Sequence, residues 1–279
     1  MTAGMMTLPK HTKFVLALLA FLPLYFAIAA LGTKLGVWGW MFGLGVLTFV
    51  GGLVIIGLLA LAALVSLVLA ARAKPRRNGI VAVAIMGLLV PGAAMVFFAS
   101  VKGTAEANPI HDIATDTGNP PVFSPERMAV RKAVGANPVS DYQTPLGQLE
   151  PFKSAFEKEQ QPSPLAVRSH AQIITARKDR PAPLPLGGAG QAEGVAAVKA
   201  AMADMGLKDI RTDEATGTVE GVAETFWFGF KDDVVARVGD TQIDFRSVSR
   251  VGISDLGANT ARIAELRSRT EALLGKGSR

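Results

Sequence analysis

Three long runs without a charged residue dominate the first part of the chain. They cover residues 14–31, 35–71 and 79–101. A helix needs about twenty mostly apolar residues to cross the hydrocarbon core of a bilayer. The second run is long enough to suggest two spans, but Trp38 and Trp40 near its start are typical of the membrane interface. The pattern therefore predicts a surface loop at residues 33–40 and three helical spans, at about residues 14–31, 41–71 and 79–101.

The segments that flank these runs differ in charge, and the difference predicts on which side of the membrane each lies. Basic residues precede the first span and fill the loop between the second and the third; they are Lys10, Lys13, Arg72, Lys74, Arg76 and Arg77. The opposite side carries only Lys34 and Lys102. Because short loops rich in Lys and Arg stay in the cytoplasm, the N-terminus is predicted to be cytoplasmic. The chain after Val101 is then predicted to lie outside, in the periplasm.

An alternative stays open for the first span. The sequence Ala27-Ile28-Ala29 follows an apolar run and two lysines, which resembles a signal-peptide cleavage site. Cleavage there would leave the later domain on the same side of the membrane. The spans hold no Asp, Glu, Lys, Arg or His away from their ends, and such residues usually mark transport pathways. The spans are therefore interpreted as a helical anchor in the lipid bilayer.

The composition of the chain changes after residue 102. Twelve of the sixteen prolines lie in residues 109–185, and proline-rich segments favour extended, irregular conformations. Residues 103–186 are therefore predicted to be an irregular segment associated with the domain that follows. Within this segment the pattern predicts a strand at residues 171–175 and a short helix near residues 149–158.

Periodic patterns return at residue 187 and predict a domain that extends to residue 279. Val195, Val198, Met202 and Met205 recur at helical spacing, and Gly206 follows them as a typical helix stop. The pattern then predicts three strands and a last helix, at about residues 217–228, 232–238, 242–251 and 255–274. The predicted fold class is a membrane region of three helical spans (residues 1–102) followed by a C-terminal α+β domain, whose antiparallel sheet is packed by helices.

Charge and composition exclude several classes of function. The formal net charge of +6 belongs to the membrane region, because residues 103–279 hold twenty-one Lys and Arg against twenty-three Asp and Glu. A slightly acidic domain lacks the basic stripe that nucleic acid requires, so no nucleic-acid partner is expected. The chain has no cysteine, and its three histidines are far apart in sequence. Neither a metal nor another cofactor is therefore predicted.

Three blocks of the sequence are distinctive. They are IHDIATDTGNPPVF at residues 110–123, FWFGFKDDVVARV at 226–238 and IDFRSVSRVGISDLGANTARI at 243–263. Together with the N-terminal spans, they resemble the bacterial domain-of-unknown-function family 1499. Members of that family are multi-span inner-membrane proteins with a C-terminal domain that faces the cell envelope. The resemblance covers essentially the whole chain and implies this architecture, but it brings no established activity.

The turn from the last predicted strand into the last helix is a candidate ligand site. Backbone N–H groups at a helix start can hold an anion, and Arg250 could add a charge beside Ser254, Asp255 and Asn259. However, Ser and Asp are preferred N-cap residues, and a carboxylate at this position would repel a phosphate. We expect Asp255 to cap the helix, with a ligand site as the alternative.

Arg246 and Arg250 lie on one face of the last predicted strand. On a sheet they could pair with Glu220 or Glu224 of a neighbouring strand. Because pairs on a solvated face contribute little to stability, replacement of either arginine by glutamine is expected to change stability little. The alternative is that both arginines bind an anionic ligand.

Two further groups have ordinary explanations beside functional ones. His111, Asp112 and Asp116 are residue types used in acid–base catalysis or metal binding, but TDTGNPP is also typical of turns. The run ETFWFGFKDD holds four aromatic residues within five positions. It is expected to be a strand that buries half of these rings and leaves the others for contact with a membrane or a partner.

The leading functional hypothesis is an interaction or assembly module on an inner-membrane anchor, with an envelope protein or lipid as partner. One alternative is an envelope hydrolase that uses His111 with Asp112 or Asp255. Another is a lipid or anionic-ligand sensor that uses Arg246 and Arg250. A hydrolase requires His111 beside a second functional group in an open cleft, and a sensor requires unpaired arginines beside a pocket.

Overall fold

A computed structural model describes residues 8–75 and 77–277 of the chain. The chain divides into two compact units. One is formed by the residues up to Lys102 together with Phe226–Gly229, and the other by the rest of the chain after Lys102. Each unit has a hydrophobic core of its own. Arg76, one of the basic residues of the predicted cytoplasmic loop, lies outside the described residues.

The N-terminal unit consists of three long helices. They are α1, Lys10–Lys34, α2, Met41–Arg72, and α3, Asn78–Ala107. Each is long and apolar enough to cross a membrane, which confirms the predicted number of candidate spans. The second helix is π-helical over Met41–Gly51 and α-helical over Gly52–Arg72. The third continues past the predicted end at Val101, to Ala107.

Small residues bring these three helices close together. Val15 of α1 and Leu59 and Ala63 of α2 are buried in the core of this unit. Gly87 of α3 faces them: a Cβ at this position would lie 2.7 Å from the Ala63 Cβ and 2.8 Å from the Val15 Cγ1. The helices reach this separation because glycine has no side chain.

The C-terminal unit is built from a six-stranded sheet and helices. Its strands are β1 Asp112–Ala114, β2 Leu184–Pro185, β3 Lys208–Asp213, β4 Thr218–Glu224, β5 Lys231–Val238 and β6 Gln242–Ser249. Its α-helices are α4 Pro125–Ala133, α5 Phe152–Phe156, α6 His170–Thr175, α7 Gln191–Asp204 and α8 Ala258–Gly277. An antiparallel sheet packed by helices confirms the predicted α+β class.

The sheet brings together strands from the beginning and the end of this unit's sequence. Its strands are antiparallel in the order β1-β6-β5-β4-β3, and β2 also pairs with β6. The short strand β1 comes first in the chain, yet it lies beside the last strand, with Asp112 opposite Val248. Val248 in turn lies opposite Asp233 of β5. A segment of the proline-rich region is therefore part of the sheet.

The two faces of the sheet are covered by different parts of the chain. One face packs against α7 and α8, where Val198, Phe245 and Ile263 are buried in the main core. The other face is covered by the segment around α4, where Phe123 packs against Val235. The prediction of a solvated, charged sheet face is therefore wrong, because α4 and its flanking residues cover that face.

Two predicted strands differ from the structure. Residues 171–175 belong to helix α6, not to a strand, because Ser169 starts the helix: its hydroxyl accepts from the Gln172 N–H in a capping box. The strand predicted over 217–228 ends at Glu224, and the aromatic run that follows forms a loop instead.

Other predicted elements are confirmed. The short helix expected near 149–158 is α5, and Gly206 stops α7 with a positive φ of 75°. The last helix begins at Ala258, three residues later than the predicted start at Asp255.

Candidate functional site

Asp112 and Arg246 form a buried ion pair on the face of the sheet that α4 covers. The Arg246 Nε donates to the Asp112 Oδ1 at 3.0 Å, and its Nη2 donates to Oδ2 at 2.7 Å. Two planar groups that meet in this way form the strong, bidentate kind of charge pair. The same guanidinium donates to the backbone carbonyls of Pro121 and Ser140 at 3.1 and 2.7 Å. All three of its nitrogens therefore have partners inside the domain.

Tyr142 contacts both members of this ion pair. Its hydroxyl donates to Asp112, and its ring centre lies 4.7 Å from the guanidinium carbon of Arg246 in a cation–π contact. Burial alone would raise the pKa of the Asp112 carboxyl, but the charge and the hydrogen bonds of Arg246 outweigh burial and lower that pKa. Asp112 is therefore charged at neutral pH and serves as a structural partner.

Two histidines pack next to this pair. His170 stacks on Tyr142 with ring centres 5.3 Å apart, and His111 stacks on Phe152 at 5.2 Å. The His111 Nδ1 lies 3.2 Å from the Ile253 carbonyl oxygen, whereas neither ring nitrogen of His170 has a hydrogen-bond partner among the described residues. Burial lowers the pKa of both imidazoles, that of His170 to about 4. Both rings are therefore neutral at pH 7.

A second buried cluster is centred on Asp233 of β5. The Arg250 Nε and Nη2 donate to its two carboxylate oxygens at 2.8 and 2.7 Å. Arg131 of α4 donates to the same carboxylate. Arg127, one helical turn earlier, lies 3.8 Å from Asp233 and donates to Asp209 at 2.8 Å. Two arginines of α4 and one that follows β6 thus converge on one carboxylate and fasten α4 to the sheet.

Glu220 of β4 holds the start of α4. Ser124 is the N-cap residue of that helix, and its hydroxyl accepts from the Arg127 N–H at 3.2 Å. The backbone N–H and the hydroxyl of Ser124 both donate to the Glu220 carboxylate. Both carboxylate oxygens of Glu220 are therefore bonded to the N-cap residue of α4.

The sequence predicts Glu220 or Glu224 as partners of Arg246 and Arg250, and this prediction is wrong. Both glutamates lie on β4, which is separated from β6 by β5. Strand β1 supplies a partner for Arg246, and β5 supplies one for Arg250. Both arginines are buried. The premise of the expectation that replacing them costs little stability is therefore wrong, and a larger cost is expected, because a buried pair behaves differently from a solvated one.

Asn259 links α8 to the opposite face of the sheet. Its Nδ2 donates to the His111 carbonyl oxygen at 2.9 Å and to the Ser249 Oγ at 3.0 Å. Its Oδ1 accepts from the Ser247 Oγ and from the Arg262 Nη1, both at 2.6 Å. An amide has two donors and can accept two bonds, so this buried side chain has its full set of partners.

Asp255 caps the start of α8. Its Oδ1 accepts from the Gly257 N–H at 2.8 Å and its Oδ2 from the Asn259 N–H at 3.0 Å, while the Ser254 hydroxyl accepts from the Leu256 N–H at 3.1 Å. Burial raises the pKa of Asp255, and these hydrogen bonds oppose that shift. The predicted capping role is confirmed. The N–H groups that could have held an anion are occupied by the carboxylate.

The remaining sequence candidates form ordinary local structure. Asp116 accepts from the N–H groups of Gly118 and Asn119 at 3.0 and 2.9 Å, which is the predicted turn. Of the candidate residues, Asp112 meets Arg246, and Asn259 meets both Asp255 and the His111 carbonyl, whereas Arg250 pairs with Asp233. Within residues 8–75 and 77–277, no group of three or more His, Asp or Glu side chains is placed to hold a metal ion.

Several members of the two buried clusters were not predicted. They are Arg127, Arg131, Tyr142, His170 and Asp233. One signal was present in the sequence: Ser124-Pro125 is a typical helix start, and two arginines four residues apart then share one face of that helix. No comparable local signal marks Tyr142 or His170, because their partners are distant in sequence.

An open groove lies between the start of α4 and the edge strand β3. Its volume is about 600 Å³, and its lining includes the exposed residues Val122, Glu126 and Arg211. Val122 is 73% exposed. The groove therefore offers apolar surface and both signs of charge at an accessible position.

The comparisons with known proteins point to one family. A family model described as "Protein of unknown function (DUF1499)" matches residues 112–269, more than half of the chain. The match runs from the start of β1 into α8 and contains both buried clusters. It confirms the resemblance carried by the three sequence blocks. No curated protein and no solved structure matches the chain.

Proposed function

Because the chain belongs to the DUF1499 family of proteins of unknown function, we propose its role from its own residues. It is an inner-membrane protein whose C-terminal domain faces the periplasm and serves as an interaction or assembly module for an envelope protein. One observation carries this proposal: the polar side chains that an enzyme or a sensor would use are buried and bonded to other parts of the domain.

The environment of His111 argues against a hydrolase. Its side chain is 1% exposed and stacks on Phe152, and its Nδ1 faces a backbone carbonyl. A general base must reach the proton that it removes from the substrate or from water. The carboxylate of Asp255, its proposed helper, is bonded to N–H groups of the α8 start.

The arginines argue in the same way against a sensor of anionic ligands. Arg246 is paired with Asp112, and Arg250 is paired with Asp233, each through two hydrogen bonds. A ligand would have to displace a buried carboxylate from each guanidinium, and this removes a charge partner from a carboxylate that stays buried.

The accessible surface suits a protein partner. The groove beside α4 combines exposed Val122 with Arg211 and Glu126, and protein interfaces combine an apolar centre with a polar rim. The orientation is supported by the distribution of lysine and arginine, because the loop between α2 and α3 is far more basic than the one between α1 and α2.

Topology fusions test the orientation. A reporter that is active only in the periplasm should be active after Arg279, which lies outside the described residues, and inactive at Lys74. The reverse pattern would mean that the domain is cytoplasmic.

Matched substitutions test the interaction role. Val122→Glu places a charge in the groove, whereas Val167→Glu places one at a 77% exposed position that does not line it. We expect only Val122→Glu to abolish complementation of a deletion strain, with both proteins folded and inserted. His111→Phe keeps the ring stack and should complement. Loss of function in a folded His111→Phe protein, with Val122→Glu tolerated, would instead favour a hydrolase.

A further inference from the structure

One end of the C-terminal sheet carries large, exposed apolar side chains. Strands β4 and β6 both finish there, since Glu224 lies opposite Lys231 and the neighbouring Asp232 lies opposite Ser249. The β4–β5 loop presents Phe226, which is 72% exposed, and Trp227, which is 55% exposed; the β6–α8 loop presents Ile253 and Leu256. We call Phe226, Trp227, Ile253 and Leu256 the apolar rim.

The β4–β5 loop has a defined shape. Its base is closed by two hydrogen bonds of 2.9 Å, from the Thr225 N–H to the Phe230 carbonyl and from the Phe230 N–H to the Thr225 hydroxyl. Gly229 supplies the left-handed turn, with φ 66°. The rings of Phe226 and Trp227 pack edge to face with centres 5.2 Å apart. The two rings thus form a single aromatic tip.

The β6–α8 loop also holds its apolar residues in place. Leu256 has a positive φ of 54°, a conformation that costs energy for a residue other than glycine. Hydrogen bonds from the Leu256 and Gly257 N–H groups to the side chains of Ser254 and Asp255 fix this shape. The strained backbone keeps an exposed leucine at the surface, where solubility alone would favour a polar residue.

The opposite end of the sheet is different. Its two turns are residues 214–217 between β3 and β4 and residues 239–241 between β5 and β6. They hold only small or polar residues, including Glu214 and Asp240. The domain therefore has one apolar end and one polar end.

The chain enters the domain at the apolar end. Only residues 108–111 separate the end of α3 from β1, and four residues reach at most about 14 Å. Strand β1 starts at Asp112, which lies opposite Val248, one residue before the end of β6. In addition, a Cβ at Gly257 would lie 3.2 Å from the Asn108 side chain, so the entering chain passes the β6–α8 loop.

We propose that the apolar rim binds the surface of the lipid bilayer that α1–α3 span, with Phe226 and Trp227 in the interface between headgroups and acyl chains. The physical basis is the tether: the helix that leads into the domain is long and apolar enough to cross a membrane, and it joins the domain at this end. Aromatic residues, tryptophan above all, favour the bilayer interface. Binding rests on apolar burial, so phosphatidylcholine, which is zwitterionic and has no net charge, suffices. This inference does not depend on the proposed protein partner or on which side of the membrane the domain lies.

Site-specific spin labelling of the full-length protein tests this proposal. The chain has no cysteine, so a single introduced cysteine carries the only label. Phe226→Cys and Ile253→Cys place nitroxides on the rim, and Asp240→Cys places one at the polar end as a matched control. In phosphatidylcholine liposomes we expect the rim labels to gain collisions with oxygen and lose collisions with a water-soluble nickel chelate, relative to the label at 240.

A double substitution in the β4–β5 loop, detected by the label at 253, tests the role of the aromatic residues without a label at their own positions. Phe226→Ser with Trp227→Ser should shift the label at 253 towards nickel accessibility, whereas Val167→Ser should leave it unchanged. Rim labels as accessible to nickel as the control label would overturn the proposal. Rim labels shielded from both reagents would overturn it as well, because they would show contact with protein, either a second copy or a partner. Val122→Glu should not change any of these signals, so the groove and the rim are tested separately.

Discussion

The carboxylate of Asp112 and the guanidinium of Arg246, 134 residues apart in the chain, meet through two hydrogen bonds of 3.0 and 2.7 Å in the buried part of the domain. Asp112 belongs to the short first strand and Arg246 to the last one. Tyr142 and the Ser140 backbone complete the enclosure. The pair thus ties the segment that follows the anchor to the C-terminal strand.

Arg246→Gln should destabilise the domain by about 3–5 kcal/mol, because it leaves the Asp112 carboxylate buried without its partner. Arg246→Lys should also destabilise it, since an ammonium cannot reproduce the planar fork or reach the Pro121 and Ser140 carbonyls at the same time. Arg211→Gln is the control: its pair with Asp209 is exposed and is worth at most about 1 kcal/mol. Brief proteolysis of the detergent-solubilised protein in increasing urea measures these changes. Equal effects of the two glutamine variants would contradict the structural role.

Asp255→Ala should lower the free energy of unfolding by about 0.5–2 kcal/mol, the usual range for loss of a helix cap. The carboxylate accepts two N–H bonds, from Gly257 and Asn259. Asp255→Ser should therefore restore only part of the loss, since one hydroxyl has a shorter reach. The same urea series provides the measurement. A folded, fully stable Asp255→Ala protein that has lost function would identify a ligand site instead.

Asn259→Ala should cost roughly 1–3 kcal/mol, because it takes the Asn259 amide from the buried Ser249 hydroxyl and removes one of the partners of the His111 carbonyl and of the Ser247 hydroxyl. The next residue offers a matched control. The Thr260 hydroxyl is buried and has no hydrogen-bond partner within residues 8–75 and 77–277. Thr260→Val should therefore be neutral or stabilising. If both substitutions cost the same, packing rather than hydrogen bonding explains the effect of Asn259.

Acid should destabilise the domain through His170. Its pKa is about 4 in the folded protein and about 6.5 in the unfolded chain. The unfolded chain therefore binds the proton first, so the contribution of the neutral imidazole is complete above pH 6.5 and is lost as the pH falls from 6.5 to 4. The loss is on the order of 3 kcal/mol.

Replacement of this histidine provides the control for the pH dependence. His170→Phe keeps the stack on Tyr142 and removes two ring nitrogens that have no partner among the described residues. It should flatten the fall in stability between pH 6.5 and 4 without lowering stability at pH 7. His111, whose pKa is also lowered by burial, leaves a remaining slope of the same sign. An unchanged profile in His170→Phe would contradict this assignment.

The elements that the sequence predicted are those with a strong local signal. The three apolar runs need only their length and hydrophobicity to be recognised. Helix α7 has a clear period and a glycine stop, and the strands β4 to β6 alternate around short turns. Strand β1 is different, because three residues cannot show a period. Its place beside β6 depends on contacts made across the whole domain.

The aromatic run after β4 shows that strand propensity alone does not determine the structure of a segment. Phe226 to Phe230 have high strand propensity, yet Gly229 and the hydrogen bonds between Thr225 and Phe230 turn the chain into a loop. The partners of Arg246 and Arg250 could not be predicted for a related reason. A strand pattern tells which side chains share a face, but it does not tell that α4 will cover that face and place Arg131 against Asp233.

The position of β6 has a consequence for biosynthesis. This strand pairs with β1, β2 and β5, but the ribosome makes it after all of them. Strand β1 and the carboxylate of Asp112 must therefore wait, unpaired, until about 130 further residues have been made, and closing so long a loop is slow. A nascent domain cut short before Gln242 would lack the strand on which three others depend. Completion of the sheet thus waits for the synthesis of β6, and unfinished chains should be open to proteolysis until then.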